Sequence, residues 1–222
     1  MGSITRSFAN NIGSSGILTA SAVTNTTVED VTSFDNAVVD ATLVLLSTQT
    51  ASASANISFT TGLDSTYDEY IFKFINIHPA TDSVQFLFNM STDSGANYNV
   101  TKTTTAFLSE HNENGTVSGL SYNPASDLAQ GTGNQRLTLS IGNDNDQSCS
   151  GTLTIFNPSS TTYVKHFIAT SQSYAADTVD ISMNMFVAGY GNTTSAVNAV
   201  RFLFSSGNID DGIIKLYGVK KS

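Results

Sequence analysis

The residues that most often perform acid–base, nucleophilic or metal chemistry are few in this sequence and lie far apart. The three histidines are His78, His111 and His166, and the single cysteine is Cys149. A nucleophilic cysteine needs a nearby cation to lower its pKa, and no histidine stands beside Cys149. Zinc sites draw several histidines or cysteines at defined spacings, which this sequence lacks. We therefore expect neither a reactive thiol nor a catalytic histidine.

The acidic residues lack the arrangement that glycoside hydrolysis requires. Asp68 with Glu69, and Asp210 with Asp211, are adjacent in the chain. Neighbouring residues of a strand point to opposite faces, so such pairs cannot flank one glycosidic bond. No nucleophile elbow, phosphate-binding loop or dinucleotide-binding glycine motif occurs in the sequence. The chain is therefore predicted to have no enzymatic activity and no cofactor.

One acidic run resembles the start of a calcium-binding loop. Between Gly142 and Ser148, Asp144 and Asp146 alternate with asparagines, and these side chains supply the oxygen ligands that Ca²⁺ prefers. The turn glycine of such a loop is missing, and Ile155 stands where the bidentate glutamate belongs. A solvated hairpin turn is the prediction here, with Asp144 and Asp146 as weak metal candidates and no metal expected.

Tyrosines near the expected loops are the candidate ligand-binding residues. A tyrosine beside an asparagine can stack on a sugar ring while polar groups bind the sugar hydroxyls. In the alternative interpretation, the rings close the ends of a hydrophobic core. The candidates at the expected loop tips are Asn97, Tyr98, Asn99, Tyr122 and Tyr190.

Strands must position these residues, because alternation of apolar and polar residues dominates the chain after residue 41. The clearest alternations cover residues 70–77, 84–90 and 179–187. No convincing amphipathic helix occurs after residue 41. About nine or ten strands with short turns predict an antiparallel β-sandwich, jelly-roll-like, over residues 41–222. The break from Ser109 to Asn134 is predicted to be a long loop.

The alternation also assigns side chains to faces. In the first of these strands, Asn76 is expected on the same face as Phe74, and Ile77 on the opposite face. In the second, the face opposite Phe88 is expected to carry Leu87 and Asn89. The first strand is expected to be buried on one face and half covered on the other, and antiparallel strands in general are expected to have one solvated face.

The first forty residues differ from the rest of the chain. Residues 1–40 are rich in Ser, Thr, Asn and Ala, with apolar residues spaced too thinly for a core of their own. They are predicted to form an arm on a neighbouring subunit or a thin shaft, and a partly ordered tail is the alternative. A homotrimer would let three arms bury their apolar residues together. The anchoring residues are Ile4, Phe8, Ile12, Leu18 and Val23.

Composition excludes several classes of partner. Nine basic and eighteen acidic residues give a formal net charge of −9, and no basic cluster of the kind that nucleic acids require is present. No apolar run approaches the roughly 20 residues that span a bilayer. Residues 1–10 lack the pattern of a signal peptide, and one cysteine cannot form an intrachain disulfide. We expect a protein made in a cytosol that binds neither nucleic acid nor membrane.

Five stretches resemble a group of structural proteins of marine bacteriophages. The resemblance covers essentially the whole chain, and its motifs are packing and turn patterns. It implies a virion protein made in the cytoplasm of a bacterial host, with coat, portal, tail or adaptor proteins as partners. The stretches are Ser3–Ile12, Tyr67–Ala80, Ser159–Phe167, Phe186–Tyr190 and Ser205–Val219.

Two positions on the particle follow from this resemblance. The first expectation is a short tail fibre or spike whose head contacts a host-surface glycan, with exposed Tyr and Asn at loop tips such as residues 97–99 and 119–123. The alternative is a capsid decoration protein that clamps coat subunits, with the arm and one broad sheet face buried against the coat. A remote third hypothesis is a carbohydrate-binding or depolymerising protein, although no carboxylate pair for hydrolysis is evident.

Overall fold

The computed structural model describes residues 42–175 and 180–220, which form two antiparallel β-sheets. All strand pairs in these ranges are antiparallel, and the same ranges contain no helix. The twelve strands in chain order are β1 (Leu43–Thr50), β2 (Ile57–Phe59), β3 (Glu69–Pro79), β4 (Phe86–Ser91), β5 (Lys102–Asn112), β6 (Ser118–Tyr122), β7 (Gln135–Arg136), β8 (Cys149–Phe156), β9 (Lys165–Ala175), β10 (Ile181–Gly191), β11 (Ala199–Phe204) and β12 (Ile209–Val219).

The chain passes repeatedly from one sheet to the other. The large sheet has the order β1-β12-β3-β8-β9-β10-β5-β6, and the small sheet has the order β2-β11-β4-β7. Crossings follow β1, β2, β3 and β4 in succession, and again β6, β7, β10 and β11. Two antiparallel layers joined in this way form a sandwich, which confirms the predicted all-β sandwich fold. Two more strands occur than the upper expectation, and the short β6 and β7 carry no clear alternation.

Phenylalanine rings from both sheets fill the core between them. Phe72 of the large sheet contacts Phe202 of the small sheet edge to face, with ring centroids 5.3 Å apart. Phe59 lies 5.2 Å from Phe72, and Phe86 stacks on Phe202 at 5.7 Å. Burial of each such ring stabilises the fold by about 1.5–3 kcal/mol. The predicted core faces of these strands are therefore the ones that meet.

Strand β4 is buried on both faces, which corrects the expectation of a solvated outer face. Leu87 is 8% exposed and Asn89 only 1%. The Asn89 side-chain amide donates hydrogen bonds to the carbonyl oxygens of Tyr98 at 2.8 Å and Thr132 at 3.1 Å. Two loops, residues 92–101 and 123–134, thus satisfy a polar residue that alternation alone assigns to solvent.

A bulge in β3 overturns the predicted faces of Asn76 and Ile77. The pairing register with β8 shifts between Phe74 and Ile77, and Asn76 has a φ of 50°. The inserted residue turns Ile77 into the core, where it is fully buried. The facing residue in β12 is Gly212, with a φ of 122°, and a Cβ there would lie 2.7 Å from the Asn76 carbonyl oxygen. A glycine is therefore required opposite the bulge.

The break predicted as a long loop contains a β-hairpin. Strand β5 extends to Asn112, and β6 follows after a short turn and forms one edge of the large sheet. The prediction failed because the strand Ser118–Tyr122 carries few apolar residues. All five residues of this strand are exposed. An edge strand needs no core face to be held in place when its neighbour supplies the ladder of hydrogen bonds.

Two predicted features lie outside the described residues. One is Val179, the first residue of the longest alternation, whose strand is described from Ile181. The other is the N-terminal arm or shaft of residues 1–40, with its anchoring residues Ile4, Phe8, Ile12, Leu18 and Val23.

Candidate functional site

A shallow groove of about 510 Å³ lies on the outer face of the large sheet, where β8, β9, β10 and β5 run side by side. Its lining combines three outward-facing rings, an aliphatic side chain and hydroxyl groups. The rings are Phe156, His166 and Tyr190, and Ile168 and Thr105 are also part of the lining. A concave site with apolar walls and a few polar groups is the usual form of a small-ligand site.

Strand register explains why these residues meet. Tyr190 of β10 pairs with His166 of β9 on one side and with Thr103 of β5 on the other. Residues that oppose each other in an antiparallel pair share a face, so all three side chains point away from the core. The Tyr190 and His166 rings meet edge to face with centroids 6.3 Å apart. The groove is therefore a product of pairing between strands that are distant in the chain.

Gly189, which precedes Tyr190 on β10, lets the floor of the groove lie close to β5. A Cβ on Gly189 would lie 2.5 Å from the Thr103 carbonyl oxygen and 3.0 Å from the Thr104 Cα. Because backbone atoms cannot give way, a larger residue would separate the two strands. Gly189 therefore sets the depth of the groove beside Tyr190.

The groove is uncharged. None of the described residues that line it is Asp, Glu, Lys or Arg. Lys165 precedes His166, but its side chain is buried, and its ammonium donates to the carbonyl oxygens of Ser160 and Tyr163, both at 2.7 Å. Burial lowers the pKa of Lys165. The groove can therefore offer stacking and hydrogen bonds to a ligand, and its lining has no Asp, Glu, Lys or Arg side chain for an ion pair.

The predicted tip around Tyr98 folds back on the small sheet. The Tyr98 ring lies over the Arg201 guanidinium, 4.4 Å from its carbon to the ring centroid. Asn97 donates to the Asp93 carboxylate at 2.7 Å, while Asn99 is exposed. Hydrogen bonds from the Ser91 hydroxyl and from Asn97 lower the Asp93 pKa to about 2. These contacts occupy the Tyr98 ring within its own domain.

Tyr122 lies on β6 rather than in a loop. Its hydroxyl donates to the Asp127 carboxylate, and this bond raises the pKa of Tyr122. Its ring meets Phe107 of β5 edge to face at 5.8 Å, and Phe107 lies 6.4 Å from Phe186 of β10. We call Tyr122, Phe107 and Phe186 the aromatic stripe. It lies on the same outer face as the groove, because Phe107 and Phe186 alternate with core residues and Tyr122 pairs directly with Phe107.

The structure thus divides the predicted candidates. Tyr122 and Tyr190 share the outer face of the large sheet, whereas Tyr98 lies over the small sheet. Sequence reasoning missed Phe107, Phe186 and Phe156, and it assigned His166 only to a sheet face. Thr103 and Thr105 stand at alternate positions before Phe107, so the three residues share one face of a strand. The polar character of that face was an available signal that the Phe107 ring points outward.

The weak metal candidates form a turn. The Asp144 amide donates to the Gln147 side-chain oxygen at 3.1 Å, and the Gln147 amide donates to the Asp144 carbonyl oxygen at 2.9 Å. Within residues 42–175 and 180–220, no three His, Cys, Asp or Glu side chains are grouped so as to hold a metal ion. Asp144 and Asp146 therefore do not belong to a metal-binding group in this part of the chain.

Cys149 is buried at the start of β8 among core residues. Burial strongly raises the pKa of its thiol, because the thiolate loses its hydration in the core. The thiol therefore stays protonated and inaccessible in the folded protein.

Separately, the described ranges hold no helix of the length and apolarity needed to cross a bilayer.

Comparisons with protein-family models, with curated proteins and with solved structures find no match for this chain.

Proposed function

We propose that this chain is a non-enzymatic structural protein of a bacteriophage particle, displayed on the virion surface as a short tail fibre or spike. Its β-sandwich would contact a glycan of the host surface, and residues 1–40 would join other virion proteins or form a homotrimer. The resemblance of five stretches to marine bacteriophage structural proteins supports the virion assignment. The observation that carries the glycan contact is the uncharged groove beside Tyr190.

The groove chemistry suits a sugar better than an ion or a lipid. The Tyr190 and Phe156 rings offer apolar faces on which the C–H face of a sugar can lie. The His166 imidazole and the hydroxyls of Thr103 and Thr105 can exchange hydrogen bonds with sugar hydroxyls. The groove is open and shallow, so a chain end or an internal sugar unit can enter it.

A binding assay with matched variants tests the glycan contact. Tyr190→Ala removes the ring at the groove, and Tyr217→Ala removes a ring on the same outer face but on β12. We expect wild-type protein and Tyr217→Ala to bind the same glycans of a printed array, and Tyr190→Ala to lose them. Equal binding by all three proteins would contradict a site at the groove.

A capsid decoration protein is the second candidate, and the β5–β6 hairpin favours it. Leu120 is 77% exposed at the centre of β6, the last strand of the large sheet. The Asn112 amide donates to the Val117 carbonyl oxygen, so odd-numbered residues of β6 bond to β5. The backbone groups of Ser118, Leu120 and Tyr122 therefore face away from the sheet. Such an edge can receive a strand of a coat subunit.

Copy number on purified particles separates the two candidates. Quantitative mass spectrometry would compare this chain with the major coat protein. A few copies to a few tens per particle would support a fibre or spike. A simple ratio to the coat subunit would support decoration and would contradict the fibre assignment.

A further inference from the structure

The groove and the aromatic stripe form one continuous surface. Phe186, Ala188 and Tyr190 are alternate residues of β10, so their side chains point to the same face. Phe186 pairs with Phe107 across β10 and β5, and Phe107 pairs with Tyr122 across β5 and β6. Tyr190 lies four positions beyond Phe186 on β10, which corresponds to about 13 Å. We call the whole surface, groove and stripe together, the ring platform.

Two rings of the stripe are exposed, and the third, Phe186, is half-buried. Phe107 is 43% exposed and Tyr122 is 46% exposed. Their contacts are edge to face, which leaves part of each ring face turned to solvent. Exposed rings grouped on one face mark an interaction site more often than isolated exposed rings do.

Polar but uncharged side chains lie between the two ends of the platform. Thr105 pairs with Ala188 between Tyr190 and Phe186. The exposed Ile168 lies on the other side of Ala188, and Thr170 faces outward beside Phe186 on β9. Both threonines are exposed. A surface that alternates rings with hydroxyls provides repeated stacking and hydrogen-bonding positions along a line.

Charge restricts the chemistry of the ligand. The groove lining carries no acidic or basic side chain among the described residues, and at the far end the Asp127 carboxylate is bound to the Tyr122 hydroxyl. The chain has a formal net charge of −9. An anionic polysaccharide would therefore find no Lys or Arg to pair with in the groove lining, because the outward lysines Lys73 and Lys215 stand on β3 and β12, three and four strands from β10.

Building on the proposed glycan contact, we infer that the ring platform binds a neutral oligosaccharide of several sugar units, extended from Tyr190 over Phe186 to Phe107 and Tyr122. Tyr190 would hold one sugar unit in the groove, and the stripe would hold a later unit of the same chain. Affinity would then increase with chain length until the ligand reaches the stripe, because the second contact becomes intramolecular.

Calorimetric titration with a length series tests this inference. The probes are neutral gluco-, galacto- and manno-oligosaccharides from monosaccharide to hexasaccharide, with uronic-acid oligosaccharides of the same lengths as anionic probes. The variants are Phe107→Thr, which keeps strand propensity as in the neighbouring Thr105, Tyr190→Ala, and Tyr217→Ala as control. Tyr122→Ala is a second variant of the stripe, and circular dichroism verifies the folding of each protein.

The expected result separates the two ends of the platform. Phe107→Thr and Tyr122→Ala should each weaken binding of the hexasaccharide by about tenfold and leave binding of the shortest bound probe unchanged. Tyr190→Ala should weaken binding at every length, and Tyr217→Ala at none. Uronic-acid probes should bind more weakly than neutral probes of equal length.

Three results would overturn the inference, and they are distinguishable. If neutral probes bind through Tyr190 but the stripe variants match wild type at every length, the platform is wrong and the proposed glycan contact stands. If uronic-acid probes bind more tightly than neutral ones, the assigned ligand class is wrong. If wild-type protein binds none of the probes, the inference and the glycan contact on which it rests both fail.

Discussion

The strands of both sheets alternate in the same way, but loops cover part of the outer face of the small sheet and leave the outer face of the large sheet accessible at β5, β6 and β10. On the small sheet, loops 92–101 and 123–134 cover β4, so the polar Asn89 is fully buried. On the large sheet, the outer face of β5, β6 and β10 stays accessible, so the apolar Phe107 is exposed. The polarity of an outward residue therefore does not reveal whether solvent reaches it. The covered face contributes stability, and the open face is where we propose that ligands bind.

The largest expected effect follows removal of Asn89. Its side-chain oxygen accepts a hydrogen bond from the buried Lys102 ammonium at 2.6 Å, and its amide donates to two loop carbonyls. Asn89→Ala should lower the free energy of unfolding by about 3–5 kcal/mol, because it leaves a buried charge without one of its partners. Urea denaturation measures this value. Asn184→Ala on the open face is the control, with a change within about 0.5 kcal/mol; equal effects would contradict the comparison.

Lys102 should make the covered face sensitive to pH. Burial lowers the pKa of Lys102 from 10.5 to about 8, so the unfolded chain binds more protons than the folded protein between these values. Stability contributed by this group therefore rises with pH from about 8 to 10.5, by about 3 kcal/mol, and is lowest below pH 8. Urea denaturation at both ends of this window should show a larger rise in wild type than in Lys102→Met, which keeps the contribution of Lys165, whose pKa burial also lowers. A parallel rise in Lys102→Met would assign it to other groups.

Substitution of Tyr98, over the small sheet, and of Tyr190, on the open face of the large sheet, compares the two faces directly. Tyr98→Ala should lower the free energy of unfolding by about 1 kcal/mol, because the ring over Arg201 is lost from the loop that covers the small sheet. Tyr190→Ala should change stability less and abolish glycan binding. Thermal unfolding together with the glycan array measures both effects. Loss of glycan binding in Tyr98→Ala rather than in Tyr190→Ala would contradict the assignment of binding to the open face.

The smallest effect on stability is expected at the sheet edge. Leu120→Ser replaces the most exposed large apolar side chain of β6 and should leave the free energy of unfolding within about 0.5 kcal/mol of wild type. If the chain is a decoration protein, the same change should weaken its attachment to purified shells, measured by co-sedimentation. Undiminished attachment would remove this edge from the decoration hypothesis.

Strand content and core faces were predictable because they depend on neighbours in the chain. Alternation over residues 84–90 predicts that Phe86, Phe88 and Met90 share a face, and all three are buried. The bulge at Asn76 was not predictable, because it requires Gly212 in a strand far along the chain. Of the site, Tyr190 and Tyr122 were selected as single residues, without the partners that make them a surface.

The sequence by itself determined that this chain forms antiparallel strands around a phenylalanine core, since period-two alternation is a local property of each strand. Only the tertiary structure decided which strands became neighbours and which outer face was covered. Register between β9, β10 and β5 brings His166 and Thr103 to either side of Tyr190, and the loops over β4 enclose Asn89. These outcomes depend on contacts between distant segments, and such contacts cannot be predicted from the alternation within any one strand.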